Sequence, residues 1–189
     1  DIDVRDTAGY LHRAEIVEIK KDEMTALCLS SSPPKNEIEL HLYVSLIKTN
    51  AFEESLQHAV EAGASVIIPV KTERSVVDVS AMKENKLERW KKIALESAKQ
   101  SYAPRIPAVD NISSFAASIK SAKGIILIAH PFSERKVSGI DFSNTESISL
   151  FIGPEGGFSA SEIALAESSG AISITFCIFT NTAAILTMS

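Results

Sequence analysis

The sequence predicts an α/β fold with a mostly parallel sheet, preceded by a small β unit. Three observations predict it. From residue 36 onward, short apolar runs alternate with segments whose apolar residues recur at helical spacing. The runs Val66 to Val70 and Gly124 to Ala129 are apolar nearly throughout, as expected of strands covered by helices on both faces. Before residue 36 the period is two instead, and a turn-rich stretch separates the two regimes.

The first residues are strand-like, with no initiating Met, so the opening reads as cut. Arg13 to Ile19 alternates, with Ala14, Ile16 and Ile19 set among polar neighbours. Lys20-Lys21-Asp22-Glu23 supplies a turn, and Met24 to Leu29 resumes the pattern. This predicts a β-hairpin. Two or three strands do not make an independent core, so residues 1–35 read as the end of a small β domain. Ser30-Ser31-Ser32-Pro33-Pro34-Lys35-Asn36 is the predicted linker, and residues 36–189 form the second domain.

In that domain Glu39 to Leu46 is a predicted strand. Asn50 to Ala62 places Phe52, Leu56, Ala59 and Val60 on one helical face, with Gly63 as its stop. Val66 to Val70 is the next strand. Lys83 to Ser101 carries Leu87, Trp90, Ala94 and Ala98 on one stripe, which predicts a long helix. A helix over Asn111 to Ser121, a strand over Gly124 to Ala129 and another over Ser147 to Ile152 follow. A helix from Ala160 to Ser168 and a strand from Ile172 to Ile178 complete the pattern. There is no internal repeat.

Composition bounds the function. Hydrophobic residues make up 45% of the 189 positions and charged residues 23%, enough apolar material for a real core. No apolar run reaches the ~18 residues that span a bilayer, so no membrane partner is expected. Cys28 and Cys177 lie in apolar strand-like contexts without a metal-ligand spacing. The four histidines are scattered. No metal site is predicted, and the default is a cytoplasmic protein with reduced thiols. The net charge of −5 hides a gradient. Lys71 to Arg105 holds nine Lys/Arg against five Asp/Glu, whereas Val137 to Ser189 has no Lys or Arg. The middle of the chain can face phosphates through its side chains and the C-terminal part cannot. A merely solvated helix face is the competing reading of the cations.

The stretch Ile152-Gly153-Pro154-Glu155-Gly156-Gly157-Phe158-Ser159-Ala160-Ser161-Glu162-Ile163 carries the most information. It runs from a strand through a Gly/Pro-rich loop into a helix announced by Ser159-x-x-Glu162, the spacing of a capping box. Glycines in such a loop permit close approaches that a Cβ forbids, and open α/β sheets bind ligands at these loops. A tight connection without a ligand is the alternative. No Lys-Ser/Thr follows the glycines, so a P-loop nucleotide site is disfavoured.

That string, with Thr72-Glu73-Arg74-Ser75-Val76-Val77 and Arg89-Trp90-Lys91-Lys92-Ile93, resembles the RsmE family of SPOUT-class methyltransferases. Further similar blocks are Ser45-Leu46-Ile47-Lys48, Leu56 to Gly63, Gln100-Ser101, Ile106-Pro107 and His130-Pro131. The resemblance implies a methyltransferase domain with a C-terminal trefoil knot, preceded by a partial PUA-like RNA-binding β-barrel. It implies a homodimer that binds S-adenosyl-L-methionine and methylates N3 of a uridine in 16S ribosomal RNA of the small ribosomal subunit.

By that resemblance, Ala129, His130, Ile152, Gly153, Pro154, Glu155, Gly156, Gly157, Ile178 and Thr180 are the cofactor-binding candidates. Arg74 is the candidate catalytic cation; an ion pair with Glu73 or Asp78 is its competing reading. Lys48, Lys71, Arg74, Arg89 and Lys92 are the RNA-binding candidates. Phe158 is expected to pack under the loop, Ser159 and Glu162 to cap the helix, and Trp90 to lie in the core. Glu155 fits a role in holding the loop or a dimer contact as well as catalysis. His130 reads as a packed or loop-bonded histidine before it reads as a base.

The resemblance breaks at the end. The family's second signature resembles Leu-Gly-x-Arg-Ile-Leu-Arg-Thr-Glu-Thr-Ala, where this chain reads Ser173-Ile174-Thr175-Phe176-Cys177-Ile178-Phe179-Thr180-Asn181-Thr182-Ala183-Ala184. The glycine is Ile174, both arginines are phenylalanines, and the glutamate is Asn181. Phe cannot supply the charge or the planar donors of Arg. Ala103-Pro104 replaces the family's small-residue and Arg pairing, and a short last helix is expected after Thr182. A relative that keeps the fold and has weakened or lost its chemistry is therefore the alternative to an active enzyme.

Overall fold

A computed structural model describes residues 1–6, 10–33, 38–75, 85–103 and 105–175. The chain divides into two units, Asp1–Glu37 and Ile38–Ser189.

The first unit is an antiparallel sheet in the order β1 (Ile2–Arg5), β2 (Leu11–Ile19), β3 (Met24–Ser32). The predicted hairpin is β2–β3, and Lys20 N–H donates to Glu23 O at 2.7 Å to close its turn. β3 continues past its predicted end: Ser30, Ser31 and Ser32 pair with Arg13, His12 and Leu11. The predicted linker thus loses its three serines to the sheet, because ladder pairing outweighs their weak strand preference. Cys28 is exposed, with Sγ 3.5 Å from Ser31 Oγ and 3.8 Å from His12 Nδ1. Its surroundings are polar, contrary to the apolar context its sequence neighbours suggested.

The second unit holds β4 (Glu39–Ser45), α1 (Thr49–Glu61), β5 (Val66–Lys71), α2 (Asn85–Gln100), β6 (Ala108–Val109) and β7 (Ser113–Ser114). It continues with α3 (Phe115–Ser121), β8 (Ile125–Ala129), β9 (Ser147–Ile152), α4 (Ala160–Ser168) and β10 (Ile172–Ile174). The strand order is β10-β8-β9-β4-β5-β6, with β7 also on β5, and every pairing is parallel.

Strand alternation sorts the core into two layers. Leu42, Val44, Ile67, Leu127, Leu150 and Ile174 join Phe52, Leu56, Ala59 and Val60 of α1 and Trp90, Ala94 and Ala98 of α2. Tyr43, Ile68, Val70, Ile128 and Phe151 join Phe115 and Ile119 of α3 and Ala166 of α4. Trp90 is 1% exposed, its ring 4.5 Å from that of Phe52, which settles its place in the core. Tyr43 stacks on Phe151 at 4.2 Å on the other side of the sheet.

Local chemistry sets the boundaries. Gly63, at φ +82°, ends α1: its N–H donates to Val60 O and that of Ala64 to Ala59 O, a Schellman closure. Pro69 lacks an N–H, and the outer ladder of β5 breaks there. β6 pairs with Val66–Ile67 and β7 with Val70–Lys71. That second pairing corrects the helix predicted over Asn111 to Ser121. Ser113–Ser114 are strand, and α3 begins at Phe115 because Ser114 Oγ accepts the Ala117 N–H at 3.3 Å.

Connections position the site. β4 and β9 are neighbours, yet the chain leaves β4 towards β5 and leaves β9 towards β10, on the opposite side of the sheet order. Their adjacent carboxyl ends are a topological switch point, where open parallel sheets place ligands. Register brings the strand ends into line. Ser45 pairs with Val70, Val44 with Ile152, Ile128 with Phe151 and Ile174 with Ala129.

Candidate functional site

The glycine loop lies at that switch point, between β9 and α4. Pro154 is buried, and its O accepts the Gly157 N–H at 2.7 Å, which folds the loop back on itself. Phe158 packs beneath as expected, 6% exposed and 5.2 Å from the Phe115 ring. A Cβ on Gly153 would stand 3.1 Å from the Phe158 ring, a contact tight enough that the ring would have to give by a few tenths of an ångström. Glu155 and Gly156 face solvent.

The capping box is complete. Glu162 N–H donates to Ser159 Oγ at 3.2 Å and Ser159 N–H donates to Glu162 Oε2 at 2.9 Å. Glu162 does more than cap. It is 8% exposed, and its Oε1 accepts the backbone N–H of Glu73 at 2.8 Å. Ser161 Oγ in turn donates to Glu73 Oε2 at 3.1 Å. The hydroxyls of Ser159 and Ser161 hold the Glu73 carboxyl below its ordinary range.

Arg74 closes the same junction. Its Nη1 donates to Gly156 O at 2.5 Å. The segment Thr72–Ser75 that presents it is fixed by Thr72 N–H donating to Ser75 Oγ at 3.1 Å and Ser75 N–H to Thr72 O at 3.1 Å. The Glu73 carboxylate is turned to Ser161 rather than into a close ion pair with Arg74, whose charge nonetheless helps to lower it. Asp78 lies outside the described residues. Three bonds therefore lock the loop after β5 to the glycine loop and to α4.

The other candidates fall in different places. Ala129 and Ile152 are half-buried strand ends of this edge. His130 N–H donates to Ile174 O at 2.8 Å, which ties the end of β8 to β10. Lys48, exposed, precedes the first turn of α1, and Lys71, exposed, ends β5. Arg89 is ion-paired with Glu53 of α1 at 2.7 Å, while Lys92 is exposed on α2. Ile178 and Thr180 lie outside the described residues, as do Cys177 and the altered signature beyond Thr175.

Three residues that sequence reading did not assign stand out in the structure. Ser45 is 1% exposed at the carboxyl end of β4, and its Oγ has no hydrogen-bond partner among the described residues. Lys86 Nζ donates to Thr49 Oγ1 at 3.2 Å, tying the start of α2 to the start of α1. Phe132, in the loop after β8, is 87% exposed. Lys86 belongs to the basic stretch Lys71 to Arg105, and Ser45 opens a block that resembles the family without being a site candidate; Phe132 carries no distinguishing sequence signal. Among the described residues no group of three or more His, Cys, Asp or Glu is placed to hold a metal ion. Among them, too, no helix is long and apolar enough to cross a membrane.

The sheet and its glycine loop fit an α/β ligand-binding domain, and it is the family described as an RNA methyltransferase domain that matches residues 34–189. Ribosomal RNA small subunit methyltransferase E of Mesomycoplasma hyopneumoniae (strain 232) is 34% identical over 165 residues, 87% of this chain and 68% of that protein. Its counterpart in Bacillus subtilis (strain 168) is 31% identical over 167 residues, 82% of this chain and 65% of the relative. Among solved structures, ribosomal RNA small subunit methyltransferase E of Neisseria gonorrhoeae bound to S-adenosyl methionine superposes with a TM-score of 0.76 at 26% identity. That match covers 93% of this chain and 73% of the other. The chain belongs to the ribosomal RNA small subunit methyltransferase E family. It spans about two thirds of the length of the two curated relatives.

Proposed function

We propose that this chain transfers a methyl group from S-adenosyl-L-methionine to N3 of a uridine in 16S ribosomal RNA of the small ribosomal subunit. The observation that carries the reading is the junction of Arg74 with Gly156, which sets a cation against the glycine loop at the switch point of a family sheet. The strand ends fit the cofactor. Ser45 offers a buried hydroxyl without a partner among the described residues, one position beyond the Val44–Ile152 pair, and half-buried Ala129 ends β8 on the far side of β9. An adenosine can be held by such backbone groups, apolar walls and a free hydroxyl. When bound, the cofactor supplies an electrophilic methyl on a sulfonium.

The residues of the chain have the remaining tasks. Gly153, Pro154, Gly156 and Gly157, with Ala129, His130, Ile152, Ile178 and Thr180, hold the cofactor, and Glu155 supports the loop. The acceptor N3 carries a proton about as acidic as a phenol's (about pKa 10). A site that removes it must stabilise an anion spread over the uracil oxygens. Arg74 supplies positive charge there, by the logic of an oxyanion hole. Lys48, Lys71, Arg89 and Lys92 contact phosphates, with Arg89 exchanging its Glu53 partner on binding. Residues 1–35 form part of a PUA-like RNA-binding domain. The C-terminal segment is knotted, and two cytoplasmic copies form a homodimer.

Labelled cofactor and small ribosomal subunits lacking the modification test the reading. Label is expected in the RNA. Retained cofactor binding without incorporation overturns it and favours the second reading, a non-catalytic RNA-binding relative. Phe176, Phe179 and Asn181 are what favour that alternative. If it holds, Phe179→Arg with Asn181→Glu restores transfer.

A further inference from the structure

Between β8 and β9 the chain presents an aromatic ring that the fold does not use. Phe132 is 87% exposed, with its ring edge-on to His130 at 5.7 Å. An isolated exposed Phe on a loose loop carries no meaning, but this loop is fixed. Ser133 N–H donates to His130 O at 3.0 Å, and Ser133 Oγ donates to Ser173 O at 2.8 Å. Arg135 N–H donates to Ser133 Oγ at 3.2 Å, and Thr175 N–H donates to Arg135 O at 2.8 Å. Lys136 then forms a parallel bridge with Thr175. The residues flanking Phe132 are thus stitched to β10 and to the end of β8, at the carboxyl edge that holds the glycine loop.

The charge beside the ring selects an occupant. Arg135 and Lys136 are exposed, and among the described residues neither takes part in an ion pair; Glu134 is the acidic residue between them and the ring. They are the last cations of a chain with net charge −5. A fixed aromatic face with adjoining cations matches a single-stranded nucleic acid, whose bases stack while its phosphates pair. We propose that Phe132 stacks on an unpaired base of the RNA substrate, with Arg135 and Lys136 on the adjoining phosphates. This rests on the function proposed above and adds a contact beyond it.

The test uses the full chain and small ribosomal subunits lacking the modification. Phe132→Ala is expected to raise KM for the RNA about tenfold, the loss of one stacked base, while the cofactor Kd stays unchanged. Phe132→Tyr and Phe132→Trp retain the ring and are expected to stay near the parent value. The double change Arg135→Ala with Lys136→Ala is expected to flatten the dependence of log affinity on log salt by about 1.4, at ~0.7 per phosphate on a single strand. A KM unchanged in Phe132→Ala overturns the inference while leaving the methyltransferase reading intact. So does a shift of Phe132→Ala in monomer–dimer equilibrium by ultracentrifugation, which assigns the ring to a subunit contact. Absence of RNA binding by the parent protein overturns both.

Discussion

The backbone N–H of Glu73 donates to Oε1 of Glu162 at 2.8 Å, across 89 positions of sequence. One buried carboxylate therefore serves two loops: its other oxygen accepts Ser159 N–H within the capping box. The residue that starts α4 also fixes the segment carrying Arg74. The glycine loop and the segment carrying Arg74 are set by one side chain, so strain at either reaches both.

Glu162→Ala removes both acceptors and leaves two N–H groups without partners. An unsatisfied buried donor costs about 1–3 kcal/mol. The expected loss is about 3 kcal/mol in urea unfolding, with Glu162→Gln about half as severe because its single carbonyl oxygen serves one donor. A loss of ~1 kcal/mol or less in the Ala variant would show that Glu162 acts only as an ordinary cap.

Arg74→Ala removes the guanidinium from Gly156 O. A hydrogen bond from a charged donor contributes about 1.5–3 kcal/mol, reduced here by solvent because Arg74 is exposed. Methyl transfer is expected to fall at least tenfold, or ~1.4 kcal/mol of transition-state stabilisation. Arg74→Lys keeps charge but not the planar fork and is expected to recover only part of it. Full activity in Arg74→Ala, measured with saturating cofactor, would remove Arg74 from the mechanism.

The Glu73 carboxyl titrates below its ordinary value because Ser159 and Ser161 donate to the ionised form. A lowered folded-state value means that its stabilisation is fully present above the unfolded-state value. The contribution is lost as pH falls through the lowered value. Glu73→Gln is therefore expected to melt below the parent protein at neutral pH and to converge with it in acid. A gap in thermal midpoint that persists unchanged to the acid limit would contradict the assignment.

Much of this architecture was legible because its signals are local. The period of the apolar residues located α1, α2 and the central strands, and Ser159-x-x-Glu162 marked the start of α4. The start of α3 was misplaced because Ser113–Ser114 pair with Val70–Lys71, a contact set by tertiary register rather than by neighbours in sequence. The same limit explains the site. Glycine composition pointed to the loop, but nothing in the sequence announces that Glu162 reaches Glu73 or that Arg74 reaches Gly156. Ser45 reads as an ordinary strand residue until burial shows its hydroxyl without a partner.

Two glycines of the loop meet different constraints, and alanine separates them. Gly157 adopts φ +66° with open space where a Cβ would stand. Ala there meets only the backbone penalty of the left-handed region, about 1–2 kcal/mol. Gly153 has no positive φ, but its added Cβ would press on the Phe158 ring at 3.1 Å and on Phe158 N at 3.3 Å. Overpacking of that kind costs about 1–3 kcal/mol. Because Phe158 also touches Phe115, the displacement passes into the layer under α3. Gly153→Ala is thus expected to disturb the core around Phe115 and weaken cofactor binding together. Gly157→Ala is expected to lower stability while leaving that core in place. Urea unfolding, calorimetric titration with S-adenosyl-L-methionine and the aromatic-proton spectrum of Phe115 and Phe158 distinguish the two variants. Identical spectra for both would show that the loop yields at Gly153 without moving Phe158, and that its glycine is not required by the ring beneath it.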